Sequence, residues 1–392
     1  MKKTINMKSK TLKPMNEFPL LEADQGIPLF YPHVPAGAFE EVKDTLSGRW
    51  IGQGPKVDKF EQKIKEKYLG NFEPLAVGSG TDALHLAYLL ADIKAGDEVL
   101  VPVFTCTATN LPFLYIGAKI KFLDIDPETM NISIEDLKNK ISDKTKAVVC
   151  VDYGGVPCDY DEIYKVCEKY NVPLISDAAH SLGMKYRNKY SGQLADFTIF
   201  SFQAIKTLTT GDGGMLAIKN SNLLEKAKRL RWFGIDRSAK QKGIWENDIV
   251  ELGYKYQMND IAASIGLSGL LELDDVILHR NRLFKKYEEM LQNVNGIKLI
   301  GKSETDIYYN PAWLATIIVE KSRQDLMRKL RENNIESAQV HYRNDRYSVF
   351  DTDNQILNNM DNLEDKYLVL PLHTRINEEH IEKICSVIKN GW

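Results

Sequence analysis

The feature that most constrains this chain is an alternation. From about Val42 onward, short β-rich runs and helix-patterned stretches trade places. Runs at 97–104 (DEVLVPVF), 118–125 (AKIKFLDI), 146–153 (KAVVCVDY), 172–178 (VPLISDA), 197–202 (FTIFSF) and 214–219 (GMLAIK) are short, apolar and rich in β-branched residues, which predicts buried strands. Helical spacing over 80–92 and 161–171 lies among them. Strands that alternate with helices predict an α/β fold with a mostly parallel central sheet covered on both faces. In such sheets ligands sit beyond the carboxyl ends of the strands.

Past Asn259 the pattern changes. Residues 259–294 read as one long helical stretch with two isolated glycines. Candidate strands near 297–300 and 313–319, a helix at 323–334 and a closing helix at 377–390 follow, which predicts a smaller α/β domain. The expected division is an arm at 1–25, a large domain at 26–275 and a small domain at 276–392.

Composition narrows the function classes. The 392 residues are 43% hydrophobic and 27% charged, with a net charge of −3. That balance offers no basic surface for nucleic acid. No apolar run nears the roughly 20 residues that span a bilayer. The basic start MKKTINMKSK has no apolar stretch behind it and reads as a tail, not a signal peptide. Five cysteines (106, 150, 158, 167 and 385) are odd in number and include no C-x-x-C. They read as free thiols of a cytoplasmic protein, with no metal framework.

Four places carry candidate chemistry. In VGSGTDALHL (77–86) small residues precede a helix start, where free backbone N–H groups form an anion site and Thr81 adds a hydroxyl. In SDAAH (176–180) Asp177 sits where a strand leaves the core, with His180 three residues on. In FSFQAIKTLTTGDGG (200–214) Lys206 follows Ser201 and is flanked by Ala204, Ile205 and Leu208. An apolar setting lowers a lysine's pKa and leaves an amine able to form a Schiff base. In LGYKYQMND (252–260) a Tyr-Lys-Tyr cluster precedes a helix. Taken singly, each has an ordinary explanation: a capped turn, a cap aspartate, a snorkelling lysine, a tyrosine-packed loop. In chain order they supply a phosphate cup, a carboxylate for a ring nitrogen and a Schiff-base lysine, which is what pyridoxal phosphate (PLP) needs.

At these residues the chain resembles the DegT/StrS-type nucleotide-sugar aminotransferases, fold-type I PLP enzymes. SGRWIGQGPKVDKFEQK (47–63), GSGTDALHLA (78–87), FLDIDPETMNI (122–132), SDAAHSLG (176–183), FSFQAIKTLTTGDGG, MNDIAASIGL (258–267) and LPLHT (370–374) carry the resemblance over nearly the whole chain. It implies a large PLP-binding domain and a smaller C-terminal domain. It also implies that Lys206 is the Schiff-base lysine, that Asp177 pairs with the pyridinium nitrogen, and that His180 lies beside the ring and its 3′-oxygen. Gly80, Thr81, Asp82 and Ser201 then hold the phosphate. Lys255 stands where the family commonly places an asparagine that reaches a neighbouring subunit's phosphate, so a homodimer with shared sites is expected. Cys106 stands where many relatives carry a stacking ring. A branch of the family has histidine in place of the lysine and dehydrates sugars; Lys206 argues for transamination.

The implied reaction is ping-pong. Glutamate or glutamine gives its amino group, with Lys206 as the proton carrier, and a nucleotide-linked keto-sugar receives it. Amination at C4 of a 4-keto-6-deoxy sugar is favoured over C3 of a 3-keto sugar or a keto-cyclitol. Trp50, Arg237, His341, Tyr342 and Arg343 are the candidates for substrate contact, with ordinary packing as the alternative for each. The competing class is a PLP-binding regulatory protein, although no DNA-binding segment is visible.

Overall fold

The structure, a computed structural model, describes residues 20–21, 24–246, 248–350 and 355–392. Most of the expected arm lies outside the described residues.

Helices α1 (Ala38–Ser47) and α2 (Pro55–Ile64) precede strand β1 (Glu73–Val77). Then come α3 (Gly80–Leu90), β2 (Glu98–Pro102), α4 (Thr107–Ile116), β3 (Lys119–Leu123), α5 (Ile134–Lys140), β4 (Thr145–Val151), α6 (Tyr160–Tyr170) and β5 (Leu174–Asp177). A small hairpin, β6 (Lys185–Tyr186) and β7 (Lys189–Tyr190), leads to β8 (Phe197–Ser201) and β9 (Gly214–Ile218). These strands, the hairpin apart, make one seven-stranded sheet in the order β1-β9-β8-β5-β4-β2-β3. Only β9 runs against its neighbours, so the sheet is mostly parallel, as the alternation predicts. Its strands are buried nearly throughout because helices cover both faces.

Helices α7 (Leu224–Arg231) and α8 (Arg237–Gln241) lead to α9, which runs unbroken from Asp260 to Leu291. Its two glycines are places of close approach. A Cβ on Gly266 would lie 2.7 Å from the Phe60 ring, and one on Gly269 would lie 2.5 Å from Leu208 Cδ1. The expected boundary at 275/276 falls inside this helix.

The rest holds β10 (Ile297–Leu299), β11 (Tyr308–Tyr309), β12 (Ala315–Val319), α10 (Arg323–Glu332), α11 (Asn358–Leu363), β13 (Tyr367–Leu370) and α12 (Glu378–Lys389). Strands β10, β12 and β13 form an antiparallel sheet. One face of it packs with α9, α10 and α12 in a core built on Leu283, Phe284, Tyr287, Ile317, Leu368 and Ile384. Ile27 joins this core and bridges to Ile335, so the start of the described chain is tied to the C-terminal part. Among the described residues no helix is long and apolar enough to cross a membrane.

Candidate active site

Because β9 alone reverses, the carboxyl ends of β1, β2, β4, β5 and β8 share one edge of the sheet. Gly80 follows β1, Cys106 and Thr109 follow β2, Asp152 follows β4, Asp177 ends β5 and Ser201 ends β8. The parallel topology thus brings together residues that lie far apart in sequence.

The anion cup comes first. Ser79 caps α3 by accepting from the Asp82 N–H at 3.0 Å. The N–H groups of Gly80 and Thr81 have no partner inside the helix and point out of its positive end. Ser201 closes the cup: a Cβ on Gly80 would lie 3.0 Å from Ser201 Cβ. Burial pushes the Asp82 carboxyl up to about 6. The Lys255 loop also abuts this region, since the Gly78 N–H donates to the Tyr256 carbonyl at 2.7 Å. The Lys255 side chain is exposed; its amine meets Gln257 and lies 5.4 Å from the Phe233 ring centre.

Asp177 is buried. One oxygen accepts from the Thr109 hydroxyl at 2.7 Å and the other from the Ala179 N–H at 3.1 Å. Thr105 and Thr109 hydroxyls are 2.7 Å apart. Thr109 spends its proton on Asp177, so Thr105 donates to Thr109 and a short relay ends on the carboxylate. Desolvation raises the Asp177 pKa, and the Thr109 bond is first among the effects that oppose it.

Lys206 carries its amine 3.6 Å from the centre of the Trp313 ring. Desolvation pulls its pKa down to about 8, against the pull of Asp177 in the other direction. Trp313 is fully buried, donates from Nε1 to the Ile205 carbonyl at 3.0 Å, and stacks on His180 at 3.8 Å. The His180 Nδ1 accepts from the Gly154 N–H at 3.3 Å, so its Nε2 carries the ring proton. Burial, and then the charge of Lys206, hold His180 well below the usual histidine pKa. His341 stacks 5.5 Å from His180, and its buried Nε2 has no hydrogen-bond partner among the described residues. Burial and the Lys206 charge bring it down to about 3. Both rings are therefore neutral at physiological pH.

The remaining candidates scatter. Cys106 is partly exposed at the start of α4, the one free thiol that is not buried. Arg237 opens α8, donates to the Gln53 carbonyl and lies over the Trp232 ring. Trp50 is exposed in the same turn region, its Cβ 2.9 Å from a Cβ built on Gly54. The Tyr342 hydroxyl meets Glu364 at 3.4 Å. Arg343 differs from the expectation. Its guanidinium is 1% exposed and holds Asp345 at 2.7 Å, Asp361 at 2.5 Å and Glu364 at 2.9 Å. In this arrangement it is committed to packing and presents no open fork to a diphosphate.

Sequence reasoning missed Thr109, Trp313 and Asp152. Asp152 is buried and accepts from Ser181 Oγ at 2.8 Å, Tyr160 Oη at 2.9 Å and the Cys158 N–H at 3.0 Å, which pins the turn carrying Asp177 and His180. Thr109 lies inside the FTCTATN stretch (104–110), where two threonines at i, i+4 beside a strand end were the available signal.

These residues fit PLP: a helix start closed by a serine, a buried carboxylate with a fixed donor, and a desolvated lysine share one sheet edge. Known proteins agree. A family model described as the DegT/DnrJ/EryC1/StrS aminotransferase family matches residues 35–389. GDP-perosamine synthase of Escherichia coli O157:H7 is 32% identical over 93% of this chain and 98% of the relative. UDP-4-amino-4,6-dideoxy-N-acetyl-beta-L-altrosamine transaminase of Campylobacter jejuni is 33% identical over 92% of this chain and 98% of the relative. Spr1654 from Streptococcus pneumoniae, solved in PLP and PMP forms, superposes with a TM-score of 0.87 at 28% identity, covering 93% of this chain and 98% of that one.

Proposed function

We propose, for a chain that belongs to the DegT/DnrJ/EryC1/StrS aminotransferase family, that it aminates a nucleotide-linked keto-sugar at C4, with glutamate or glutamine as donor. It is a PLP-dependent sugar aminotransferase. The observation that carries the reading is the convergence of Lys206, Asp177 and the Gly80–Ser201 cup on one sheet edge.

PLP, when bound, supplies an electron-accepting ring that stabilises negative charge at the carbon losing its proton. Lys206 would hold its aldehyde carbon, Asp177 its ring nitrogen, and Gly80, Thr81 and Ser201 its phosphate. Asp177, held by Thr109 and the Ala179 N–H, would keep a proton on that nitrogen. Lys206 would take the proton from the donor's α-carbon onto Nζ and hold it for its return during the transfer. A pKa near 8 leaves a useful fraction of that amine neutral at physiological pH. His180, with Nδ1 taken by the Gly154 N–H, would offer its Nε2 proton to the cofactor, and Trp313 keeps water from the amine. In the second half-reaction Lys206 runs the same transfer in reverse on the keto-sugar.

The C4 choice is supported by the relatives. One bears a name with a 4-amino-4,6-dideoxy sugar. Another is named for UDP-4-amino-4-deoxy-L-arabinose; it is 28% identical over 93% of this chain. The test is a panel of nucleotide-linked 4-keto-6-deoxy and 3-keto sugars with the PMP-loaded protein. Turnover confined to 3-keto sugars would move the reading to C3. A homodimer, with Lys255 facing a neighbour's cup, belongs to the same proposal.

A further inference from the structure

Arg280 sits past the middle of α9 and is 3% exposed. Its Nη1 donates to the carbonyls of Leu372 at 2.8 Å and Trp313 at 3.4 Å. Its Nε is buried and without a hydrogen-bond partner among the described residues, and no carboxylate among them pairs with it. The other deeply buried arginines are different: Arg231 holds Glu61 at 2.7 Å, and Arg343 holds three carboxylates. A buried cation with no counter-charge is expensive to keep. Its surroundings are basic as well. Burial is the first cause of lowered proton affinity at Lys206, His279 and His373, and the Arg280 charge adds to it at each.

Geometry ties this charge to the reaction. Trp313 is shared: its carbonyl accepts from Arg280, and its ring carries the Lys206 amine at 3.6 Å. Two carbonyls fix Nη1, which leaves Nε and Nη2 as the side of the fork without a protein acceptor among the described residues. That edge matches a carboxylate bidentately. We propose that Arg280 receives the α-carboxylate of the amino donor. The inference rests on the aminotransferase reading. The donor must bring its α-hydrogen to Lys206, and its α-carboxylate is one bond from that carbon. Arg280 then gains the counter-charge it lacks. Glutamate and glutamine both carry this group, so the inference holds for either.

The test follows the visible band of the PLP-loaded protein as L-glutamate or L-isoglutamine, its α-amide, is added. Wild type is expected to bleach with glutamate and to need about 100-fold more isoglutamine. Arg280→Gln is expected to need about 100-fold more glutamate and to lose the discrimination. Its band should still return when keto-sugar meets the PMP-loaded variant. Arg280→Lys keeps the charge without the fork and is expected to fall between the two. Arg280→Gln that bleaches at wild-type glutamate concentrations overturns the inference and leaves the aminotransferase reading intact. Wild type that takes isoglutamine as readily as glutamate overturns it too, even if Arg280→Gln does not fold. A wild-type band that no amino donor bleaches overturns both.

Discussion

The Trp313 ring touches two parts of the site at once, with the Lys206 amine 3.6 Å from its centre and the His180 ring stacked on it at 3.8 Å. One buried aromatic thus sets the orientation of the lysine and of the histidine. It also keeps the lysine dry, and desolvation is what lowers the amine's pKa to about 8.

That value sets a pH dependence. Below about 8 a growing share of Lys206 is ammonium, which cannot attack an aldehyde; above it most of the amine is free. The rate at which the apo-protein captures PLP should climb with pH and flatten above about 8, measured by stopped-flow absorbance. A rise that continues to the ordinary lysine value of 10.5 would contradict the desolvated setting. The same shift links to folding. Between about 8 and 10.5 the unfolded chain holds a proton on this lysine that the folded chain lacks, so this group's contribution to stability rises with pH across that window.

Thr109→Val removes the donor on Asp177 and leaves a buried carboxylate with one partner fewer. The expected cost is about 1–3 kcal/mol of apo-protein stability by urea unfolding, with weaker PLP binding. Thr109→Ser should restore both. Unchanged PLP affinity in Thr109→Val would show that the relay does not serve the site.

Gly80→Ala places a methyl group 3.0 Å from Ser201 Cβ, a tight contact that asks Ser201 or the helix start to give by a few tenths of an ångström. The fold should survive, because the clash is local. The affinity for PLP should fall by about tenfold or more, as the cup's donors lose their alignment. Equal affinity by spectrophotometric titration would remove Ser201 and the helix start from the phosphate site.

Arg343→Met should act on folding. It strands Asp345, while Asp361 and Glu364 lose one of two cations and keep Arg346 at 3.5 and 3.2 Å. About 3 kcal/mol of stability should be lost, while the sugar KM of the folded fraction changes little. A raised sugar KM at unchanged stability would return Arg343 to the substrate site.

The alternation was legible because strands buried on both faces read as short apolar runs, and six of the seven in the central sheet were located, five parallel and the antiparallel β9. Strand β1 was missed: EPLAV is as long as the strands that were found, but it opens on Glu-Pro and holds a single β-branched residue. Lys206, Asp177 and the Gly80 turn were legible because each combines a polar group with a strand end or helix start. Trp313 and Arg280 were not. Trp313 lies more than a hundred residues from Lys206 and read as part of a strand. Arg280 is one of several charges on a long helix, and its isolation from any carboxylate exists only once Trp313 and Leu372 close over it. Arg343 erred the other way: its partners Asp361 and Glu364 come from a separate helical turn that local sequence does not connect to it.

The most direct measurement is the absorbance spectrum of the purified protein with PLP, for wild type and Lys206→Ala. Wild type is predicted to show a visible band that glutamate or glutamine bleaches and a nucleotide-linked keto-sugar restores, while Lys206→Ala shows neither the band nor turnover. A wild-type protein without the band, or a Lys206→Ala variant that turns over at the wild-type rate, would contradict the account.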